Sequence, residues 1–351
     1  MSVFEQDYFL FVPLDAAGKG TLYSLQPSEL QTERCFVVVP YAHPAKQKPN
    51  PLFYDIVSEI KTELPKVSAS TSEKIQLHAT QSKENYLETL TTLKAHIQRG
   101  DIYEINYCLS FESDTAGIHP LAVYKRLHEL GRAPYSMLVK LKEEYVLCES
   151  PELFLKKTGK HLESKPIKGT ARRGSNKAED DFLKEKLYNS VKERTENVMA
   201  VDVARNDLSI LAARDTVKVN KLYNIETFET VHQMVSTVSC ELKQDVSLQD
   251  ILHATFPMAS MTGAPKRRAM DFIDDYESFE RGIYSGAIGI FNKGDFELAV
   301  VIRSIFYNAS TKRLSLAVGG AITYLSEAED EYEECLLKAT SMLKALGAEI
   351  G

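Results

Sequence analysis

The chain has 351 residues, 44% of them hydrophobic and 26% charged, with a formal net charge of −7 at pH 7. It is long enough for one large domain or two ordinary ones, and its composition is that of a globular protein with a sizeable core. The acidic balance gives no reason to expect nucleic acid or an anionic membrane as a partner. Cys35, Cys108, Cys148, Cys240 and Cys335 are odd in number with no Cys-x-x-Cys spacing, so they read as free thiols of a reducing cytosol. No basic stretch followed by an apolar core opens the sequence, and no apolar run approaches ~18 residues. The expectation is a cytoplasmic protein that is neither exported nor membrane-spanning.

Residues 1 to 80 carry the weakest signals. Cys35-Phe-Val-Val-Val39 reads as a buried strand ended by Pro40, and Leu52 to Leu64 is amphipathic enough for a helix. The polar stretch from Pro65 to Ser82 reads as a loop or boundary. Tyr86, Leu90, Leu93 and Ile97 then keep helical spacing up to a capping Gly100. Asp101 to Phe111 alternates as a strand, His119 to Leu130 reads as a helix, and strands follow at Tyr135–Leu141, Tyr145–Leu147 and Leu153–Lys156. A long helical region runs from Lys177 to Asp207, with strands after it at Thr216–Val219 and His232–Leu242. Lys266–Ile273 reads as a helix. Three β segments, Ile283–Phe291, Phe296–Tyr307 and Arg313–Tyr324, lead to a closing helix from Glu327 to Leu346. Consecutive strands with grouped helices and no βαβα alternation argue α+β, one large domain of mostly antiparallel sheets packed face to face with helices outside.

The stretch from Glu163 to Gly174, Glu-Ser-Lys-Pro-Ile-Lys-Gly-Thr-Ala-Arg-Arg-Gly, reads as a strand end passing into a tight turn. Pro166 is expected to stop the ladder, and Gly169 allows backbone that other residues resist. Lys168 sits at that turn beside Thr170. An amine fixed there and partly desolvated would have a lowered pKa and attack as the free base, although spacing alone favours a solvated turn lysine. Glu193 with Glu196, and Glu331 with Glu334, place carboxylates three apart on one helix face. Two such pairs meeting in space would offer hard oxygen ligands for Mg²⁺; apart, they are two solvated helix faces. Thr262-Gly-Ala-Pro-Lys266 resembles a helix start with free amides, but it lacks the P-loop pattern. Arg303, inside an apolar strand, must be paired or must bind something, and its fork suits a carboxylate. Gly319 and Gly320 inside a strand suggest a bulge or a close approach to a ligand. Glu152, in Ser150-Pro-Glu, could serve as a general acid or be a surface carboxylate, and His232 could be a core histidine.

Ten fragments, in order, resemble the chorismate-utilising enzymes, the family of the anthranilate, aminodeoxychorismate, isochorismate and salicylate synthases. They are Gly100-Asp-Ile-Tyr103, Ser150-Pro-Glu152, Pro166-Ile-Lys-Gly-Thr170, Glu196-Asn-Val-Met-Ala-Val-Asp202 with Arg205-Asn-Asp207, His232-Gln-Met-Val-Ser236, Thr262-Gly-Ala-Pro-Lys266, Tyr284-Ser-Gly-Ala-Ile-Gly289, Ile302-Arg303, Gly319-Gly320 and Glu331-Tyr-Glu-Glu334. The resemblance covers residues 83–351 as the chorismate-binding catalytic domain and leaves 1–80 as a divergent N-terminal portion of the same fold. Within the family, Pro-Ile-Lys-Gly-Thr is similar to the C4-aminating, folate branch, the aminodeoxychorismate synthases, whereas anthranilate synthases carry alanine in place of the lysine. The position of the water-activating lysine of the isochorismate and salicylate synthases is here Glu104.

The resemblance implies that the chain aminates chorismate at C4 through an adduct of Lys168 at C2, with Glu152 protonating the departing hydroxyl. The alternative it carries is the anthranilate type, with amination at C2 and loss of pyruvate. It further implies Mg²⁺ on Glu196 and Glu334, with Glu193 and Glu331 close by. Arg303, Tyr284 and the Gly319–Gly320 backbone would hold the enolpyruvyl carboxylate, while Thr170, Thr262, Gly263, Lys266 and His232 would line the site. Ammonia would come from a separate glutamine amidotransferase subunit.

Overall fold

The computed structural model describes residues 5–14, 19–43, 46, 48–64, 74–114 and 117–351. Strands come first: β1 (Tyr8–Val12), β2 (Lys19–Ser28), β3 (Arg34–Val39), β4 (Leu52–Glu63) and β5 (Ile75–Ala79). Helix α1 (Lys83–Arg99) starts where the Ser82 side chain accepts from the Asn85 amide, and it ends on Gly100 at φ 79°. Then follow β6 (Glu104–Ser113), α2 (Pro120–Gly131), β7 (Tyr135–Leu141), β8 (Glu144–Ser150), β9 (Leu153–Thr158), β10 (His161–Ser164) and β11 (Ile167–Arg172). Helices α3 (Lys177–Tyr188) and α4 (Val191–Leu211) lead into β12 (Lys218–Thr227) and β13 (Val231–Glu241). The remainder is α5 (Leu248–Thr255), β14 (Gly263–Ala264), α6 (Lys266–Tyr276), β15 (Ala287–Asn292), β16 (Asp295–Val300), β17 (Ser304–Asn308), β18 (Leu314–Ile322), α7 (Ala328–Leu346) and β19 (Ala348–Ile350).

Several sequence expectations are corrected. Leu52–Glu63 is a strand, not a helix: it pairs with β2 along one edge and β3 along the other, and β-branched Ile56, Val57 and Ile60 suit the pleat. Of the expected loop from 65 to 82, residues 65–73 lie outside the described residues, and Ile75–Ala79 is a strand alternating buried and exposed. The long helical region divides at Asn189–Ser190, because Ser190 caps a new helix by accepting from the Glu193 amide. The segment 296–307 is two strands, β16 and β17, and α5 and β19 were not foreseen. Gly319 and Gly320 make no bulge, since β18 pairs with β6 in unbroken register from Leu314↔Ser113 to Ile322↔Ile105.

The strands form one hydrogen-bonded path, with the short β14 paired on β6 beside it. It runs β12, β13, then β10 and β11 end to end, β9, β16, β15, β3, β4, β2, β1, β7, β8, β17, β18, β6, β5 and β19. Every pairing is antiparallel except β19 on β5. The path folds over on itself around β4 and β2. Phe9 on β1 stacks on Phe36 of the non-adjacent β3, ring centroids 4.5 Å apart, inside a core that also holds Val38, Met137, Cys148, Ile288 and Val301. Strand β3 shows the layering by alternation: Phe36 and Val38 point between the halves, while Cys35, Val37 and Val39 point out against α4 and α5. The opposite outer face is covered by α1, α2, α6 and α7 through Leu90, Tyr124, Phe272 and Met342. The fold is thus the expected α+β domain, with sheets face to face and helices outside.

Two antiparallel strand pairs carry the chain from one half to the other. β9 pairs with β16 in one half, and β8 with β17 in the other. The links between them, Pro151–Glu152 and Val301–Arg303, lie side by side, joined by Val300 N–H to Glu152 O (3.0 Å) and Glu149 N–H to Arg303 O (3.2 Å). Arg303 takes φ 52°, an uncommon conformation for a residue with a side chain.

Candidate active site

A bulge presents the lysine. β11 pairs Ile167 with Val235 and Thr170 with Gln233, so it carries one residue more than β13 over that interval. The extra residue breaks the alternation at Lys168–Gly169 and re-aims Lys168. Gly169 adopts φ 89°, and a Cβ there would lie 2.7 Å from the Glu193 carboxylate, so glycine serves both the turn and the approach of α4. Pro166 separates β10 from β11 without ending the sheet, since both pair with β13.

Lys168 is buried, and its ammonium donates to Glu104 Oε1 at 2.5 Å. Burial acts to lower its pKa, but the carboxylates of Glu104, Glu196 and Glu152 outweigh it and hold the lysine above its ordinary value. This corrects the expected free base. Glu152, from the strand crossover, is buried too, and desolvation pushes its carboxyl up to about 7 against the pull of Lys168. It therefore holds a proton that it can give near neutrality.

The two acidic turns meet. Glu193 and Glu196 come from α4, Glu331 and Glu334 from α7, and all four line a cavity of about 470 Å³. Cations sit among the converging like charges: Lys192 Nζ lies 2.9 Å from Glu331 and 4.0 Å from Glu196, and Lys338 Nζ lies 2.7 Å from Glu334. Burial foremost raises the Glu196 carboxyl to about 8, and its Oε1 is a buried oxygen with no hydrogen-bond partner. Burial also raises Glu193, whereas Lys338 draws Glu334 below its ordinary value despite burial.

Arg303, Tyr284 and Gly319 line the same cavity together with Glu152, Lys168 and Thr170. The Arg303 guanidinium donates to Lys338 O at 3.3 Å, and burial holds its pKa below the ordinary value. A Cβ on Gly319 would lie 2.4 Å from Cys108 Sγ, so this glycine lets β18 lie flat on β6. A Cβ on Gly320 would point instead at Glu331, 3.1 Å away.

Residues 29–344 match the profile of the family described as chorismate binding enzyme. The chain belongs to that family. Among curated members, an aminodeoxychorismate synthase of Streptomyces pristinaespiralis is 42% identical over 275 residues, 78% of this chain and 38% of the relative. Aminodeoxychorismate synthase component 1 of Bacillus subtilis is 36% identical over 76% of this chain and 56% of its own length. The chain spans from 30% to 59% of the length of such relatives. Among solved family folds, anthranilate synthase component I from Streptococcus pneumoniae superposes with a TM-score of 0.75 at 22% identity, covering 95% of this chain and 89% of that one. The menaquinone-specific isochorismate synthase from Escherichia coli gives 0.79 at 16% identity, covering 97% and 89%.

Four expected residues of this family member lie away from the cavity wall. His232 is buried with Nε2 3.0 Å from Asp180 and Nδ1 3.0 Å from Thr227. Lys266 is held by the Asp207 carboxylate and by Thr255 O at 2.9 Å. Thr262 Oγ1 donates to Met258 O at 3.1 Å, and a Cβ on Gly263 would lie 2.2 Å from Glu104 O. Thr262, Gly263 and Ala264 pin the start of β6, where Tyr103 N–H meets Ala264 O and Asn106 N–H meets Thr262 O, each at 2.7 Å. Sequence reading noted Glu104 only as standing in place of a lysine, and it passed over Lys192, Lys338 and Gln233, whose buried Oε1 lacks a partner at the cavity wall. The two lysines were legible: Lys192–Glu196 and Glu334–Lys338 are i,i+4 pairs.

Among the described residues no cluster of three or more His, Cys, Asp or Glu side chains has the arrangement of a metal centre. The donor set still fits a hard divalent cation, with carboxylates from two helices and the unpartnered Glu196 oxygen. No helix among them is long and apolar enough to cross a membrane, and the five cysteines are free and buried.

Proposed function

We propose that this chain is the chorismate-aminating component of an aminodeoxychorismate synthase, converting chorismate and ammonia to 4-amino-4-deoxychorismate for para-aminobenzoate and folate synthesis. The observation that carries the reading is a buried lysine amine, turned into a family cavity by a bulge, with a carboxylic acid of pKa about 7 sharing that cavity. The curated relatives of that name add support.

Lys168 attacks C2 of the ring, the double bonds shift, and the C4 hydroxyl leaves with the proton of Glu152. Ammonia enters at C4 and expels the lysine. Because the hydroxyl and the amine exchange at C4 through two displacements, the configuration there is retained, and the enolpyruvyl ether stays because neither displacement breaks its bond to the ring. Arg303, Tyr284 and the backbone at Gly319 and Gly320 take the enolpyruvyl carboxylate, with Thr170 at the cavity's exposed edge. Glu196 and Glu334, with Glu193 and Glu331 beside them, would hold Mg²⁺, which when bound supplies positive charge for the ring carboxylate. Thr262, Gly263, Lys266 and His232 act behind the wall, fixing the strands that carry Glu104 and Lys168. A separate glutamine amidotransferase supplies ammonia in the cytosol.

Turnover with chorismate, Mg²⁺ and ammonium tests this. The purified chain should give the 4-amino product, faster at alkaline pH where more NH₃ is present, and should fail with glutamine alone. Glutamine-driven turnover by the single chain, or none with ammonium, refutes it. Chorismate without ammonia should leave a mass adduct on Lys168. Lys168→Ala should lose both the adduct and the 4-amino product, any residual amination shifting to C2. An undiminished 4-amino rate in that variant would rule out covalent attack.

A further inference from the structure

A lysine that attacks carbon must first lose a proton, and Lys168 is held as an ammonium. The carboxylate that meets it is Glu104, at 2.5 Å and with side-chain exposure of 3% against 7% for the lysine. Glu104 is not among the residues lining the cavity, so it stands behind the lysine rather than before the substrate. Its backbone is fixed from the far side by the Thr262–Ala264 segment, through the two 2.7 Å hydrogen bonds to Ala264 O and Thr262 O and the close approach of Gly263. That placement explains why Thr262-Gly-Ala sits near the site without touching the cavity. The other acids nearby have separate tasks: Glu152 is turned to the cavity beside the strand crossover, and Glu196 belongs to the acidic pair.

We infer that Glu104 is the proton-holding base of Lys168, taking the ammonium proton as the N–C2 bond forms and returning it when the amine leaves. The inference rests on the covalent reading above. In the first displacement one ammonium proton passes to Glu104, the N–C2 bond forms, the C4–O bond breaks, and the hydroxyl departs as water with the Glu152 proton. In the second, ammonia forms the C4–N bond and the N–C2 bond breaks, freeing neutral Lys168, which recovers its proton from Glu104. The new C4 ammonium gives one proton to Glu152. Both acids and the lysine end as they began, and the net change is chorismate plus ammonia to aminated product plus water. Because the proton stays within a buried pair, the attack step does not exchange it with solvent.

The test is rapid-quench mass spectrometry of adduct formation on the whole chain with chorismate and Mg²⁺, without ammonia, across pH 6 to 9. Wild type is expected to form the adduct at a rate that does not rise with pH above neutrality. In Glu104→Gln, which keeps the shape and a hydrogen-bonding group, the proton must reach solvent first. Relative to wild type, the rate should then be down about 100-fold near pH 6.5 and recover about tenfold per pH unit until the lysine itself titrates, loss of the Glu152 proton above about 7 being common to both. Glu104→Asp should restore the wild-type profile, and Glu104→Ala should be rescued in proportion to added formate, which a structural role would not allow. Melting curves of each variant separate misfolding from chemistry. Adduct formation by a folded Glu104→Gln at the wild-type rate and pH profile overturns the inference, as does absence of formate rescue in a folded Glu104→Ala. No adduct on wild type would instead overturn the covalent reading beneath it.

Discussion

Glu152→Gln should make the protein more stable in alkali and leave it unchanged in acid. The Glu152 carboxyl sits near pKa 7 in the folded chain, against 4.5 for the free group, chiefly because burial disfavours its charge. A group that binds its proton more tightly when folded favours the native state below its unfolded pKa. That advantage is lost as pH rises from about 4.5 through about 7. Above pH 8 the native state carries a buried carboxylate at a cost on the order of 3 kcal/mol, which glutamine, neutral at every pH, avoids. At the entropy of unfolding expected for a chain of this size, the gain amounts to roughly 4 °C in Tm. Melting followed by circular dichroism at pH 5 and pH 8.5, without metal, measures it, and the variant should meanwhile lose turnover for want of an acid. A variant no more stable than wild type at pH 8.5, or equally stabilised at pH 5, would refute the assignment of a strained buried carboxyl.

Mg²⁺ should stabilise wild type by mass action, by about 2.7 kcal/mol at a hundredfold excess over Kd and so with a higher Tm, and Glu334→Gln should lose both this shift and Mg²⁺-dependent turnover. An unchanged magnesium response would remove Glu334 from the site. Gly169→Ala forces a side chain into φ 89° and against the Glu193 carboxylate. It should cost about 1–3 kcal/mol in denaturant titration and depress adduct formation on Lys168 by displacing the bulge. Full activity in that variant would mean that the bulge does not aim the lysine.

Helices whose signal was local were legible in sequence: α1 is written in Tyr86, Leu90, Leu93, Ile97 and its glycine cap. β4 was misread because Ile56, Ile60 and Leu64 also fit a 3.6 period, and only pairing with β2 and β3 decides the matter. The convergence of Glu193 and Glu196 with Glu331 and Glu334 could be guessed from matched spacing, but not the lysines that make it tolerable. The Lys168–Glu104 pair was hidden because the partners are far apart in sequence and meet only through the sheet. Spacing also suggested a lowered lysine pKa, since it counts burial and misses the three carboxylates that override it.

The order of strands along the sheet also bears on how the polypeptide is made. β3 lies between β4 and β15, β1 is bonded to β7, and β5 receives β19 as its parallel neighbour, Ala348 beside Ile75. Strands synthesised early thus wait for partners far downstream in the sequence, with one edge of apolar Cys35-Phe-Val-Val-Val39 unpaired meanwhile. Loop closure over such separations is slow, and a half-made sheet offers open edges to other nascent chains. Refolding from denaturant should be correspondingly slow and concentration-sensitive, and translation speed or chaperone supply should govern the yield of folded protein more than the stability of the finished fold.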